Sequence, residues 1–293
     1  MNKKDNSINE IFSRTEALID RVENFFPKQD LSIDSDIIAW RWKRQNSSTE
    51  LKPVRHVHAI RLMDLQAIDR QRDLLNQNTR QFVAGKPANN ALLWGSRGTG
   101  KSSLIKALLN EYADQGLRII EIDKHDLIDL PEIIDLVWDR DERFILYSDD
   151  LSFEASDPGY KSLKAALDGS VSALPNNVLI YATSNRRHLL PEYMQENNQS
   201  RMIEDEIHHG EAVEEKISLS ERFGLWISFY PFNQDKYLEI ADHWLDQLGC
   251  ETTDNEDIRE LALRWALERG SRSGRVAHQF ARDLAGKESL AKE

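Results

Sequence analysis

The sequence predicts an α/β protein: a parallel sheet between two helical layers, a three-layer αβα sandwich, followed by a helical domain and preceded by a helical and extended arm. Three observations carry this expectation. From about residue 88, short apolar runs alternate with segments of helical spacing. Several runs end on acidic or polar residues, and beyond the last run only helical patterns remain. Strands separated by helices imply right-handed crossovers and a parallel sheet covered on both faces. A chain of 293 residues is long enough for one large core and a smaller second one.

Taken in order, residues 1 to about 35 place Ile8, Ile11, Phe12, Ala17, Leu18, Val22 and Phe25 on a helical stripe. Ile37 to Arg61 crowds Trp40, Trp42, Lys43, Arg44, Lys52 and Arg55 around one acid, Glu50. Such alternation fits either an edge hairpin that docks the arm or a nucleic-acid surface. Ala91 to Trp94 reads as a buried strand, and Lys101 to Gln115 as a helix stopped by Gly116. Leu117 to Ile122 is the next strand, Leu127 to Trp138 a partly helical connection, and Phe144 to Tyr147 a strand ending in Asp149 and Asp150. Tyr160 to Leu167 reads as helix and Val178 to Thr183 as strand; residues 195 to 216, rich in charge, break the rhythm as an exposed insertion. Leu225 to Tyr230 closes the sheet, and three helices follow at Gln234 to Leu248, Asn255 to Glu268 and Val276 to Leu284. The expected divisions are an arm over 1–60, the sandwich over 61–232 and a helical lid over 233–293.

Composition excludes several classes. Thirty-eight basic against 50 acidic residues give a net charge of −12, which argues against broad, charge-driven coating of nucleic acid. Cys250 is the one cysteine, so neither an internal disulfide nor a cysteine-based zinc site can form. His56 with His58, and His208 with His209, have no third ligand at metal spacing. The sequence holds no apolar run of spanning length, and MNKKDNSINEIF lacks the apolar core of a signal peptide, so the expected address is the cytoplasm, away from the membrane.

The sharpest signal is Gly95-Ser96-Arg97-Gly98-Thr99-Gly100-Lys101-Ser102, which matches G-x-x-x-x-G-K-[ST] between an expected strand and an expected helix. A turn whose backbone N–H groups converge on phosphate oxygens needs glycines that tolerate unusual dihedrals and bring no Cβ. The helix start adds its positive dipole end. Residues Gly95 to Ser103 are therefore expected to cradle the phosphates of ATP, with Lys101 on the β- and γ-phosphates and Ser102 on Mg2+. A magnesium triphosphate also needs an acid at the end of a neighbouring strand; Asp149 is expected at the metal, and Asp150 is expected to orient or deprotonate the attacking water. Asp150 is one methylene shorter than the glutamate common among hydrolysing relatives, so slow turnover is expected unless Glu154 reaches in.

At these residues the chain resembles the AAA+ ATPases, which implies that superfamily's αβα sandwich and helical lid. Thr183-Ser184-Asn185 looks like the sensor-1 motif, which implies that Asn185 positions the water. Ser218-Leu219-Ser220-Glu221-Arg222-Phe223 resembles the segment with the arginine finger, making Arg222 the candidate. Gly270-Ser271-Arg272-Ser273-Gly274-Arg275 looks like sensor 2, with Arg275 toward phosphate. Leu65 and Ile68, in Leu65-Gln66-Ala67-Ile68-Asp69-Arg70-Gln71, lie where the superfamily wraps apolar residues around adenine. The wording GSRGTGKSS, SDDLSFE, ATSNRRHLLPEY and RGSRSGR is similar to a bacterial P-loop branch described as domain of unknown function 815. The resemblance implies ATP hydrolysis that drives a conformational change on a macromolecular partner, protein or nucleic acid. It implies a homo-oligomer when ATP is bound, because a finger from the next subunit makes a head-to-tail interface. Asp-Asp on the acidic strand keeps open an ATP-gated switch of the initiator or helicase-loader kind with negligible turnover. A small-molecule kinase on the same loop would need neither the finger nor the lid. Trp226, Trp244 and Trp265 fall on apolar stripes and read as core, and Arg186-Arg187-His188 reads as an intersubunit contact or a basic loop.

Overall fold

The computed structural model describes residues 31–45, 48–153, 157–168, 174–187, 189, 202–203, 206–207, 219–250 and 256–291. The stripe from Ile8 to Phe25, Glu154, His188, His208 and His209 lie outside them, as does most of the 195–216 insertion.

β1 (Ala39–Gln45) and β2 (Ser48–Pro53) form an antiparallel hairpin. β3 (Ala91–Gly95), β4 (Leu117–Ile122), β5 (Arg143–Ser148) and β6 (Val178–Ser184) follow. A separate pair of two-residue strands, β7 (Met202–Ile203) and β8 (Glu206–Ile207), precedes β9 (Leu225–Phe229). The main sheet has seven strands in the order β2-β1-β4-β5-β6-β3-β9. Every pairing in it is parallel except β1 with β2. The helices are α1 (Asp69–Val83), α2 (Lys101–Tyr112), α3 (Leu130–Val137), α4 (Pro158–Asp168), α5 (Gln234–Gln247), α6 (Glu256–Glu268) and α7 (Gly274–Ala291). This is the expected α/β sandwich with helical extensions.

Side chains alternate across the sheet, because successive residues of a strand point to opposite faces. Ile119, Ile145, Tyr147, Leu179, Tyr181 and Ile227 enter one core with Leu75 and Phe82 of α1, Leu104, Ile105 and Leu108 of α2, and Tyr237, Ala262 and Phe280 of the last three helices. Ile120, Phe144, Leu146, Ile180 and Ala182 enter the other core with Leu130, Ile133 and Val137 of α3 and Tyr160 and Leu163 of α4. Nearly continuous apolar strands are what a sheet buried on both faces requires.

The hairpin shows why aromatics and bases alternate. Trp40 and Trp42 are fully buried in the second core, and β1 pairs with β4 inside the sheet, leaving β2 at the edge. The Trp42 indole N–H donates to Asp129 at 3.1 Å, and Arg44 pairs with the same carboxylate at 2.8 Å. Arg41, on the outer face, pairs with Glu121 at 2.7 Å. Three features differ from the expected ones. α7 runs to Ala291 rather than Leu284, because its last turns are solvent-facing helix with a Lys287–Asp283 ion pair at 2.6 Å and carry no apolar period. The connection before β5 begins as a 3-10 helix at Lys124–Asp129 before α3. Trp226, Trp244 and Trp265 are half-buried against the cores rather than inside them.

Candidate functional site

β3 lies between β6 and β9, so its carboxyl end opens where the chain crosses to the far side of the sheet, the usual place for a ligand in an open α/β fold. There the chain must turn at once. Gly95 has φ 129°, and a Cβ on it would stand 1.9 Å from the Phe229 carbonyl oxygen, so only glycine fits beside β9. The Ser96 N–H donates to that same carbonyl at 3.0 Å and pins the loop to the sheet. Gly98, at φ 72°, lets the loop pass under the start of α7: a Cβ there would lie 2.9 Å from the Ser273 hydroxyl. The Arg275 N–H reaches the Gly98 carbonyl at 3.4 Å.

α2 begins after Gly100 with no side-chain cap, leaving its first N–H groups turned toward the cleft. The Lys101 ammonium is buried, donating to the Gly95 carbonyl at 2.8 Å, the Ser96 carbonyl at 2.7 Å and Asn185 Oδ1 at 3.2 Å. Burial lowers its pKa, against the pull of Asp149 and Asp150. The Thr99 hydroxyl closes the loop on the Ser96 carbonyl at 2.7 Å.

β5 brings two carboxylates to the same place. The Ser102 hydroxyl donates to Asp149 Oδ1 at 2.7 Å, and the Thr183 hydroxyl donates to the same oxygen. Burial raises the Asp149 pKa, but the hydrogen bonds from Thr183 and Ser102, with the Tyr147 hydroxyl close by, outweigh it and hold the carboxyl below its ordinary value. Asp150 adopts φ 52°, its N–H bound to the Thr183 hydroxyl at 2.9 Å. Its carboxylate accepts from the Asn185 amide and lies 3.8 Å from the Arg97 guanidinium. A non-glycine residue in the left-handed region is uncommon, and here two neighbouring strands and the loop fix it.

The cleft above these groups measures about 790 Å³. Arg97 to Ser103, Asp149, Asp150, Asn185, Arg275, Leu65 and Ile68 all line it. Gly95 and Ser96 support it from behind through the carbonyls that hold Lys101. Its far end is apolar: Ile60, Leu65, Ile68, Phe232 and Ile240 line it and are buried. Trp244 and His278 also line it, with ring centroids 4.5 Å apart. Sequence reasoning assigned Trp244 to the core and passed over His278, because a half-buried residue on an amphipathic helix has the same period as a core residue. It also passed over Tyr147, whose apolar setting in β5 hides a hydroxyl.

Arg222 stands apart. It lies outside the cleft, directly after the helical residues Leu219–Glu221, with its guanidinium bonded to Asp168 at the end of α4. Arg187 is likewise outside the cleft, over the rings of Trp94 and Trp226 at 5.7 and 5.9 Å. Among the described residues no cluster of three metal-ligating side chains of the His, Cys, Asp and Glu types occurs, and no helix is long and apolar enough to cross a membrane.

Solved structures share this fold. The Thermotoga maritima RuvB Holliday junction branch migration motor superposes with a TM-score of 0.54 at 14% identity, over 79% of this chain and 66% of that one. The Aeropyrum pernix ORC1 protein in complex with DNA gives 0.50 at 14% identity, over 78% and 62%. This chain therefore spans about two thirds of the length of the structures it matches. No curated protein matches it in sequence. These likenesses show a shared fold, an α/β sandwich with helical extensions. A family model described as protein of unknown function (DUF815) matches residues 35–288, and the chain belongs to that family.

Proposed function

We propose that this chain is an AAA+ type ATPase that binds Mg-ATP in the cleft and hydrolyses it to drive a conformational change on a macromolecular partner. One observation carries the reading: the Lys101 ammonium, the Ser102–Asp149 pair and the Asn185–Asp150 pair converge at the mouth of a glycine-built loop. The residues present fit the ligand. Gly98 and Gly100 hold the loop at positive φ where a Cβ would press on Ser273 and on Ile68, uncapped N–H groups face the cleft, and a hydroxyl beside a carboxylate is a hard-oxygen donor set suited to magnesium.

When bound, Mg2+ neutralises phosphate charge and polarises the terminal phosphoryl group. Ser102 and Asp149 hold the cation. Lys101 exchanges its two carbonyl partners for phosphate oxygens, a mobile point charge set down among fixed N–H dipoles. Asn185 orients the attacking water, and Asp150 accepts its proton. Leu65 and Ile68 pack on the adenine, and Arg275 joins the lid to the phosphates. Arg222 supplies its charge to the site of a neighbouring copy, an effect worth about 10³ to 10⁵ in rate where such fingers have been dissected. Its placement away from its own cleft supports this and implies a homo-oligomer. The division into 1–60, 61–232 and 233–293 belongs to the same proposal, with the β1–β2 hairpin of the first unit completing the sheet of the second and the third unit as the moving lid. So does a cytoplasmic setting, away from the membrane.

A second reading is favoured by Asp150 itself. Its carboxylate is engaged by Asn185 and near Arg97, which suits a nucleotide-gated switch that holds ATP and turns it over negligibly. Steady-state phosphate release, with and without single-stranded or duplex DNA, separates the two. Release that rises with assembly or partner supports the machine; tight ATP binding without release supports the switch. ATP that neither binds nor turns over overturns both.

A further inference from the structure

Tyr147 lies on β5 two residues before Asp149, 3% exposed, its ring in the core shared with Leu104, Ile105 and Leu108 of the helix that carries Ser102. Its hydroxyl is buried and completes no hydrogen bond of normal geometry. Yet the Ser102 hydroxyl and the Asp149 carboxylate are near enough to be its partners, whereas Glu121 acts on it only through its charge. An orphaned buried hydroxyl costs stability, and a purely structural residue at this apolar position would be phenylalanine. The two hydroxyls already on Asp149, those of Ser102 and Thr183, both donate to the same oxygen, Oδ1.

We propose that Tyr147 is a positioning residue for the divalent cation: its hydroxyl is a third donor to the Asp149 carboxylate and closes its hydrogen bond when a cation is held by Ser102 and Asp149. The inference rests on the reading of that pair as the magnesium site. Tyr147 touches neither phosphate nor base, so it acts only through Asp149. It satisfies the carboxylate on the side away from the cleft and fixes the plane in which the carboxylate faces the metal. The cost of the orphaned hydroxyl falls on the cation-free state and is relieved on loading, so cation affinity and this hydrogen bond are linked.

The experiment is calorimetric titration of ATP into wild-type protein and Tyr147→Phe, in EDTA and over a series of Mg2+ concentrations, with melting temperatures taken without ligand. The expected result is equal ATP affinity in EDTA and a cation-free melting temperature for Tyr147→Phe no lower than wild type. The Mg2+ concentration for half-maximal tightening of ATP should rise about ten-fold or more, since a hydrogen bond to a charged group is lost. An unchanged Mg2+ requirement overturns the proposal, and so does a lowered melting temperature, which would make the hydroxyl structural. A Tyr147→Phe, Asp149→Asn double variant supplies the independent check. The Tyr147 effect on Mg2+ must vanish once the carboxylate is gone, and persistence of the effect overturns the link. Wild-type ATP affinity that is indifferent to Mg2+ instead removes the metal reading itself, a result legible without any variant.

Discussion

Asp150 combines a left-handed backbone, a bond from Thr183 to its N–H and a bond from Asn185 to its carboxylate. A side chain held this way is oriented before any ligand arrives, which is what a proton acceptor needs. Asp150→Asn should leave ATP affinity within about two-fold of wild type and lower phosphate release by at least the 10²-fold typical of a lost general base. Stopped-flow phosphate detection checks this; equal release would remove Asp150 from the mechanism. Asn185→Ala should act in the same direction and free the Lys101 ammonium of one acceptor. At this scale the meeting of the Gly95–Ser102 loop, both acids and Asn185 at one cleft was legible, because each is a glycine-rich or polar exception at a strand end. Trp244, His278 and Tyr147 were not, because their chemistry depends on which way a partly apolar side chain faces in three dimensions.

The β1–β2 hairpin owes its place to burial rather than charge. Removing the Trp42 side chain would lose a fully buried indole and strip Asp129 of a donor. Trp42→Ala should therefore cost about 3–5 kcal/mol, read as a shift of the urea midpoint with unchanged slope. A cost below about 1 kcal/mol would show the hairpin dispensable to the sheet. At the start of β5, the Arg140 guanidinium, helped by the Ser35 hydroxyl, lowers the Glu142 carboxyl to about 2. The folded value lies below the unfolded one, so this pair stabilises above about pH 4.5 and its contribution is lost as pH falls from there toward 2. The pair is partly solvated, so Glu142→Gln should cost no more than about 1 kcal/mol at pH 7 and nothing measurable near pH 2. Equal costs at both pH values would contradict the pairing. The strands and most helices were readable as elements because a sheet buried on both faces leaves near-continuous apolar runs. The pairing of β1 with β4 was not readable, since the alternation of Trp40 and Trp42 fixes a buried face but names no neighbour.

For the whole molecule, the start of α7 closes on the cleft loop where Ser273 and Arg275 meet Gly98, while Arg222 lies outside the cleft. Nucleotide in the cleft should therefore change how copies associate as well as how one copy closes. Native mass spectrometry should show a higher oligomer with ATP than with ADP or neither. Arg222→Ala should spare ATP binding by the dilute monomer and lower phosphate release only at concentrations where the oligomer forms. Equal loss in the monomer would place the arginine's role within its own subunit.

The central claim is that the bend between Trp94 and Lys101 holds a triphosphate. Calorimetric titration of Mg-ATP into wild type and Lys101→Ala tests it most directly, with melting temperature at saturating ATP as the companion reading. Wild type should bind one ATP per chain and gain about 2.7 kcal/mol of stability at a hundred-fold excess over the dissociation constant, while Lys101→Ala folds normally and gains nothing measurable. Undiminished binding and stabilisation in Lys101→Ala, or no heat of binding in wild type, would contradict the account.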